Sequence, residues 1–533
     1  MSGFDPRRWL RDVRRVAARL PSLRPGRVPD APALPVRDPW PGDAGRGARL
    51  LKGELGWHGA ARPLRAESWA ERAGSEELRG EALGFTWLRD LRALGTDSAR
   101  LRARALIAAF IETAELDPLS RRPDIAGARI AAWLGHYDFF AASADDPFRQ
   151  HLMGRLLADA RALAAELPAE QIDGRALTAL KGLVAASVAL PEPLGFLSRA
   201  LRFLPGEIGR QVLGDGCHVE RSPAAQLKAL QDLTEIRALL QAAQAPPPAA
   251  LTVAIERLAV GLRTLRHGDG GLALFNGARE GNAALTDLVL TQAGRAGRPM
   301  NALYDGGFHR MQAGRGTVIL DGGAPPAPGL DRRAHAGTLA FEFSLARERL
   351  IVNCGGAPAS GAEWRDAARA TAAHSTLVIA DTNSSELRPE GLGRRPTQVE
   401  VQRQEANGAH WLEASHDGWS RPFRALHRRR LYLAESGEDL RGEDAVEAPT
   451  PQPFAVRFHL HPAVDASRQQ DGEAMLLRLP GGSFWRLRAE GVRLGLEESI
   501  YLGAEEPRRS EQVVLSGAAD GPQLVKWAIT KVG

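Results

Sequence analysis

The sequence predicts an α+β chain in two parts, a helical toroid or bundle followed by an antiparallel β-sandwich. Two observations predict it. From about residue 66 to 295 apolar residues recur at helical spacing, and after about residue 300 the period switches to two. A third observation bounds the class: the 533 residues are 44% hydrophobic and 25% charged, enough for more than one core.

The N-terminus is basic. Residues 1–30 hold eight Arg and three Asp, a surplus equal to the formal net charge of the whole chain, +5. The remainder is near neutral, so no nucleic-acid partner is expected. No apolar run approaches the roughly 20 residues that span a bilayer. Arg7, Arg8, Arg11, Arg14 and Arg15 break up any signal-peptide core, and a cytoplasmic protein is expected. Trp9, Leu10, Val13, Val16 and Leu20 can share one helical face, which makes residues 1–27 a candidate for peripheral contact with anionic lipid. Residues 21–46 are rich in Pro, Gly, Arg and Asp and read as a linker. The expected division is therefore arm and linker over 1–46, helical domain over 47–295 and sandwich over 296–533.

Within the helical part, Asp97 is placed to cap a helix carrying Leu101, Ala105, Ile107, Phe110, Ile111 and Ala114. Further helices are expected at 127–140, 151–167, 174–190, 195–204, 223–243 and 248–265, joined by short Pro- or Gly-marked connections. No strict repeat period is present, which excludes a regular solenoid. The stretch Arg266-His-Gly-Asp-Gly-Gly-Leu-Ala-Leu-Phe-Asn-Gly277 is Gly-rich, but no strand precedes it and no Lys-Ser/Thr follows. It does not make a phosphate loop. In the second part, Leu339, Phe341 and Phe343 alternate with Ala340 and Glu342. Leu350-Ile-Val352, Thr376-Leu-Val-Ile379, Leu431-Tyr-Leu433 and Phe454–His461 read as strands. Two cysteines, Cys217 and Cys354, cannot make a disulfide framework or a cysteine zinc site.

The polar loop Leu213-Gly-Asp-Gly-Cys-His-Val-Glu-Arg-Ser-Pro-Ala-Ala-Gln-Leu227 places Asp215, His218, Glu220 and Arg221 at the mouth of a helix that starts at Ser222-Pro223. With it stand Asp305-Gly-Gly-Phe-His-Arg310, Ala334-His-Ala-Gly-Thr-Leu-Ala-Phe-Glu-Phe343 leading to Ile351-Val-Asn-Cys-Gly355, and Ala373-His-Ser-Thr-Leu377. Together these resemble the heparinase II/III family over most of residues 66–533. The resemblance implies an (α/α) toroid joined to an antiparallel β-sandwich. It also implies a lyase that cuts an acidic, uronic-acid-containing polysaccharide by β-elimination. Such chemistry needs a neutraliser for the uronate carboxylate, a base near the carbon and an acid near the leaving oxygen.

The resemblance assigns those roles to His218, Glu220 and Arg175 from the helical part and to Arg333 and Tyr304 from the second part. Arg221, His309 and Arg310 are the implied substrate contacts. His335, Asn353 and His374 are the implied metal set, with zinc as the ion; no other cofactor is expected. Four departures from the family pattern stand out. Gly174-Arg175 occupies the place of an Asn-His pair, and Ala225 that of a Tyr after the Ser-Pro. Arg333-Ala-His335 replaces His-x-His, and Asn353 replaces an Asp. A permanent cation at Arg333 suits binding of a carboxylate or sulfate better than proton abstraction. Two functions are therefore expected: the family's lyase activity, or a catalytically degenerate fold that binds an anionic glycan or envelope precursor.

Overall fold

The computed structural model describes residues 28–532 apart from 171, 192–194, 295–296, 358–361 and 470–471. The basic arm expected at residues 1–27 lies outside the described residues. The chain forms two units. One comprises the described residues up to Gln211 with Lys228–Ile255, and the other holds the described residues of Val212–Leu227, Glu256–Pro358 and Ala362–Gly533. The sequence predicts a single cut near 295. Instead the polar loop and the chain from Glu256 onward belong with the sheet.

The helical unit is built from α1 (Asp97–Glu112), α2 (Pro123–Gly135), α3 (Asp146–Glu166), α4 (Arg175–Ala189) and α5 (Phe196–Gln211). Two further helices, α6 (Pro223–Ala242) and α7 (Ala249–Thr264), are each divided between the units. The α1 cap is Thr96, whose hydroxyl accepts from Ala99 N, rather than Asp97. The N-cap of α3 is Asp145, followed by Asp146-Pro147, so this helix starts five residues before the expected point. The α5 helix runs past Pro205 instead of ending at Leu204. Phe85 centres the core of this unit, with ring centroids of Trp69, Trp87, Phe110 and Trp133 at 5.1, 5.1, 5.2 and 5.2 Å. The α2 and α4 helices meet glycine to glycine: a Cβ on Gly182 would lie 2.2 Å from the Gly127 Cα.

The sheet unit carries β1 (Phe308–Ala313), β2 (Gly316–Asp321), β3 (Phe341–Leu345), β4 (Glu348–Val352), β5 (Leu377–Ile379) and β6 (Val399–Ala406). It continues with β7 (Ala409–Trp419), β8 (Ala425–Leu433), β9 (Asp439–Leu460), β10 (Phe484–Glu490), β11 (Arg493–Tyr501) and β12 (Arg508–Val532). All these pairings are antiparallel. The β9 strand is the spine. Its first half pairs with β8, its end pairs with β5 and β4, and β12 follows it along both halves. The register shifts between Ala448 and Gln452, where Ala448-Pro-Thr-Pro-Gln-Pro453 cannot supply a full ladder of N–H donors. A strand that changes partners at such a bend lets one sheet cover both sides of a core. That core includes Phe341, Phe343, Leu431, Leu440, Val456, Phe458, Val525, Trp527 and Ile529, all buried.

Candidate functional site

The polar loop is a closed turn. Val212 and His218 form an isolated bridge, and Leu213 N donates to Cys217 O at 2.9 Å. Asp215 accepts from Cys217 N and, with its other oxygen, from Gly306 N at 2.8 Å. Gly216 is required here: its φ is +86°, and a Cβ would lie 2.3 Å from Arg257 O. Gln226 ties the turn down. Its Oε1 accepts from His218 N at 2.6 Å and its Nε2 donates to Gly216 O and Leu258 O.

These bonds redirect the residues expected to face a ligand. The His218 ring is buried, and its Nδ1 accepts from Glu220 N at 3.3 Å. The Glu220 carboxylate stands 3.9 Å from the same nitrogen. Arg221, expected as a substrate contact, has its guanidinium donors engaged internally. Its Nε donates to Gly306 O at 2.6 Å, Nη1 to Ala324 O at 2.7 Å and Nη2 to Asp321. The guanidinium also lies over the Phe308 ring at 4.9 Å. Arg310 is likewise internal, donating to Thr264 O and Arg266 O. With no carboxylate partner among the described residues, burial lowers its pKa to about 10. His309 is buried, and burial first, then Arg403, pushes its pKa down to about 4. Tyr304 is 73% exposed on a turn, its ring edge-on to His309. An exposed phenol lacks the surroundings that would shape it into a catalytic acid.

In the helical unit, Arg175 closes on Asp173 at 2.8 Å, so its charge is already matched. Lys181, farther along α4, is buried between Asp232 at 2.8 Å and Glu235 at 3.1 Å. Burial alone would lower its pKa, and the two carboxylates more than reverse that.

The second cluster is centred on His335. Its N–H donates to Asn276 Oδ1 at 3.0 Å, and Asn276 Nδ2 donates to Arg221 O at 2.8 Å. His335 Nδ1 lies 2.9 Å from His374 Nε2, and His374 Nδ1 lies 2.8 Å from Ala370 O. Gly337 makes room for the second ring, since a Cβ there would lie 2.7 Å from His374 Cδ2. Burial pushes His374 down to about 4; burial, His374 and Arg369 hold His335 well below the ordinary imidazole range. Both rings are therefore neutral near pH 7. Exposed Arg333 lies alongside. A Cβ on Gly277 would lie 3.6 Å from the Arg333 Cβ and 3.9 Å from His335 Nε2.

The expected zinc set does not fit a metal. Asn353 Oδ1 already accepts from Ser375 N at 2.9 Å, and its Nδ2 donates to Glu342 Oε1 at 3.2 Å. His335 and His374 spend a nitrogen each on one another. Among the described residues no group of three or more His, Cys, Asp or Glu is placed to hold a metal ion. Glu342 is instead the hub of a buried hydrogen-bond network. It accepts from Leu274 N, Asn353 N and Asn353 Nδ2, and its other oxygen meets His267 Nε2 at 2.8 Å. Sequence reasoning missed Asn276, Gln226 and Glu342. Asn276 stood in the Gly-rich stretch, whose change of texture was the available signal.

Comparison with known proteins agrees with this fold. Residues 295–528 match the family "Heparinase II/III-like, C-terminal". The chain is 33% identical over 531 residues to "FtsZ-localized protein C" of Caulobacter vibrioides, covering 94% of this chain and 91% of that one. Among solved structures, heparinase III superposes with a TM-score of 0.72 at 13% identity, over 88% of this chain and 79% of that one. Heparan sulfate lyase HepC from Pedobacter heparinus superposes with a TM-score of 0.60 at 15% identity, over 98% of this chain and 88% of that one. At such identities the structural likeness speaks for the fold alone.

Proposed function

The chain belongs to the heparinase II/III-like family, and we propose that it uses this fold to bind an acidic saccharide rather than to cleave one. The saccharide is a uronate-containing glycan or a sugar-bearing envelope precursor. The observation that carries this reading is the state of the tyrosines and of Arg333, His335 and His374 among the described residues. Elimination needs an acid and a base beside the reacting carbon. The chain has four tyrosines. Tyr304 is exposed, Tyr501 donates its hydroxyl to Glu280, Tyr432 packs on Trp411, and Tyr137 is buried in the helical unit. Ala225 offers only a methyl group at the loop. Arg333 cannot accept a proton, and His335 and His374 are too weakly basic to do so near pH 7. What remains is an exposed Arg333, a permanent cation two residues along the chain from a neutral imidazole, and such a cation suits anion binding.

The full-length relative is FtsZ-localized by name. That supports placing this chain at FtsZ assemblies. No described helix is long and apolar enough to cross a membrane.

The test is calorimetry and ultraviolet spectroscopy on one panel: heparosan, polygalacturonate, alginate and heparin oligosaccharides. The expected result is saturable binding to at least one of them, weakened in Arg333→Ala, with no rise in the absorbance of unsaturated uronate. A rise that Arg333→Ala abolishes would reinstate the lyase. Absence of both signals would remove the saccharide from the proposal. Imaging of the tagged protein with FtsZ would then test the placement by itself.

A further inference from the structure

The β6 strand is an open edge of the sheet. Among the described strands it pairs with β7 alone, without a register shift, from Val399↔His416 to Ala406↔Ala409. The turn between them is Asn407-Gly408, with φ of +51° and +76°. Such a two-residue turn with both φ positive makes Ala406 and Ala409 a hydrogen-bonded pair. Alternation then aims the backbone groups of Glu400, Gln402, Gln404 and Ala406 at β7, and those of Val399, Val401, Arg403 and Glu405 away from it. None of the outward backbone groups has a hydrogen-bond partner among the described residues. Proteins usually blunt such an edge with proline, lysine, a bulge or a short strand. Residues 399–406 contain no Pro or Lys, and their register is unbroken. Arg403 does not cover the edge. Its guanidinium donates to Asn301 O at 2.8 Å, Arg310 O at 2.7 Å and Glu405 Oε1 at 2.8 Å. Val399 and Val401 pack against the sandwich core, so side chains hold the strand while its backbone stays open.

We propose that the β6 edge pairs with the β6 edge of a second copy of this chain, antiparallel about a two-fold axis at Gln402. Strand chemistry selects both the occupant and the register. With Gln402 opposite itself, Val399 meets Glu405 and Val401 meets Arg403. The four outward residues of each copy, with one N–H and one C=O apiece, then exchange eight bonds. On the exposed face Glu400 lies opposite Gln404, so a carboxylate meets an amide donor, and no like charges stand directly opposed. A slip that puts Arg403 on the axis leaves six bonds and sets two guanidiniums against each other. A slip that puts Val401 there also leaves six. The contact is small and of the transient kind, so protein concentration governs it. It uses none of the residues assigned to the saccharide and is independent of that reading. Two joined copies would carry every binding site twice, which raises avidity for a repeating ligand.

Two readouts on the full chain test this. In the first, sedimentation velocity over a wide range of concentration is expected to show a monomer–dimer equilibrium. Gln402 is exposed, so substitution there spares the core. Gln402→Arg would oppose two cations on the axis and weaken the dimer by about fivefold. In the second, Gln402→Cys reads the register. Residues on the axis form a non-hydrogen-bonded pair with Cα atoms about 4.5 Å apart, within reach of a disulfide. The native Cys217 and Cys354 are both buried and do not compete. Mild oxidation is expected to link Gln402→Cys into a covalent dimer. Gln404→Cys should stay unlinked, because its two copies stand about 14 Å apart along the strands. Should Gln402→Arg fail to fold, the pair of cysteine variants decides alone. A wild type that stays monomeric at every concentration overturns the proposal and leaves the edge to an extended segment of another protein. A dimer that Gln402→Arg does not weaken and Gln402→Cys does not link overturns it in favour of a different interface. Linkage through Gln404→Cys but not Gln402→Cys overturns the register and the axis with it.

Discussion

At the scale of single residues, Lys181 and Arg221 have their charge matched inside the protein before any ligand arrives. Asp232 in the helical unit accepts from Lys181, Lys228 and Thr178. Replacing Asp232 by Ala would leave Lys181 buried with one carboxylate in place of two. Breaking a buried pair costs about 3–5 kcal/mol. Urea unfolding of Asp232→Ala should show a loss of that order, with saccharide binding by the folded fraction unchanged. Arg221 follows the same logic: its role is to tie the loop to the sheet, so Arg221→Ala should lower the melting temperature rather than affinity alone. The sequence could display the polar residues of the loop but not these outcomes. Partners of Arg221 at Gly306, Asp321 and Ala324 lie 85 to 103 positions away. Whether a guanidinium serves a ligand or the fold is decided by such distant atoms. Asn353 is similar: its residue type was legible as a poor metal ligand, whereas the direction of its amide depends on Ser375 and Glu342.

At the scale of elements, close approach of two backbones sets the limits. The α2 and α4 helices cross where Gly127 and Gly182 touch. A Cβ on Gly127 would lie 2.6 Å from Thr178 O. Gly127→Ala and Gly182→Ala should each destabilise by about 1–3 kcal/mol, as overpacking does. Gly154 in α3 has nothing within 4 Å of the same added atom. Gly154→Ala should therefore stabilise by about 0.5–1 kcal/mol, and denaturant midpoints would separate the two cases. The outer sheet face shows the opposite economy. Glu413, Arg430, Glu443, Lys526 and Glu490 follow one another across β7, β8, β9, β12 and β10, alternating in sign. Such a solvated ladder contributes little per pair, and Glu443→Gln should cost under about 1 kcal/mol. Helical and two-residue periodicities made most elements legible from sequence, because each depends on which residues share a face. Which strand lies beside which was not, since register is written in the partner.

At the scale of the whole molecule, buried neutral histidine sets the acid response. Burial is the first cause that lowers His136, His267, His309, His335, His374, His416, His427 and His459. His309 and His374 fall to about 4 and His459 to about 3, from an ordinary value of 6.5. Their folded forms bind protons less readily than the unfolded chain does. Their contribution to stability is complete above pH 6.5 and is lost as pH falls from there toward 4 and 3. Each group then contributes roughly 1.4 kcal/mol less per pH unit. Melting temperature should therefore drop steeply between pH 6.5 and 5, before the carboxylates titrate; a flat profile there would contradict the buried neutral rings. The two-part class of the fold was legible because the change of period after residue 300 spans hundreds of residues. The membership of Val212–Leu227 in the sheet unit was not, because one loop leaves no periodic trace.

The order of strands has a consequence for synthesis. The β12 strand, the last in the chain to Val532, follows β9 along both halves and also pairs β10 and β11. A ribosome completes β9 at Leu460 and does not begin β12 until Arg508. At roughly 5–20 residues per second, that interval is on the order of several seconds. Throughout it the nascent chain carries an open strand edge with no mate yet made, so β9 is the segment a chaperone at the exit tunnel would need to shield.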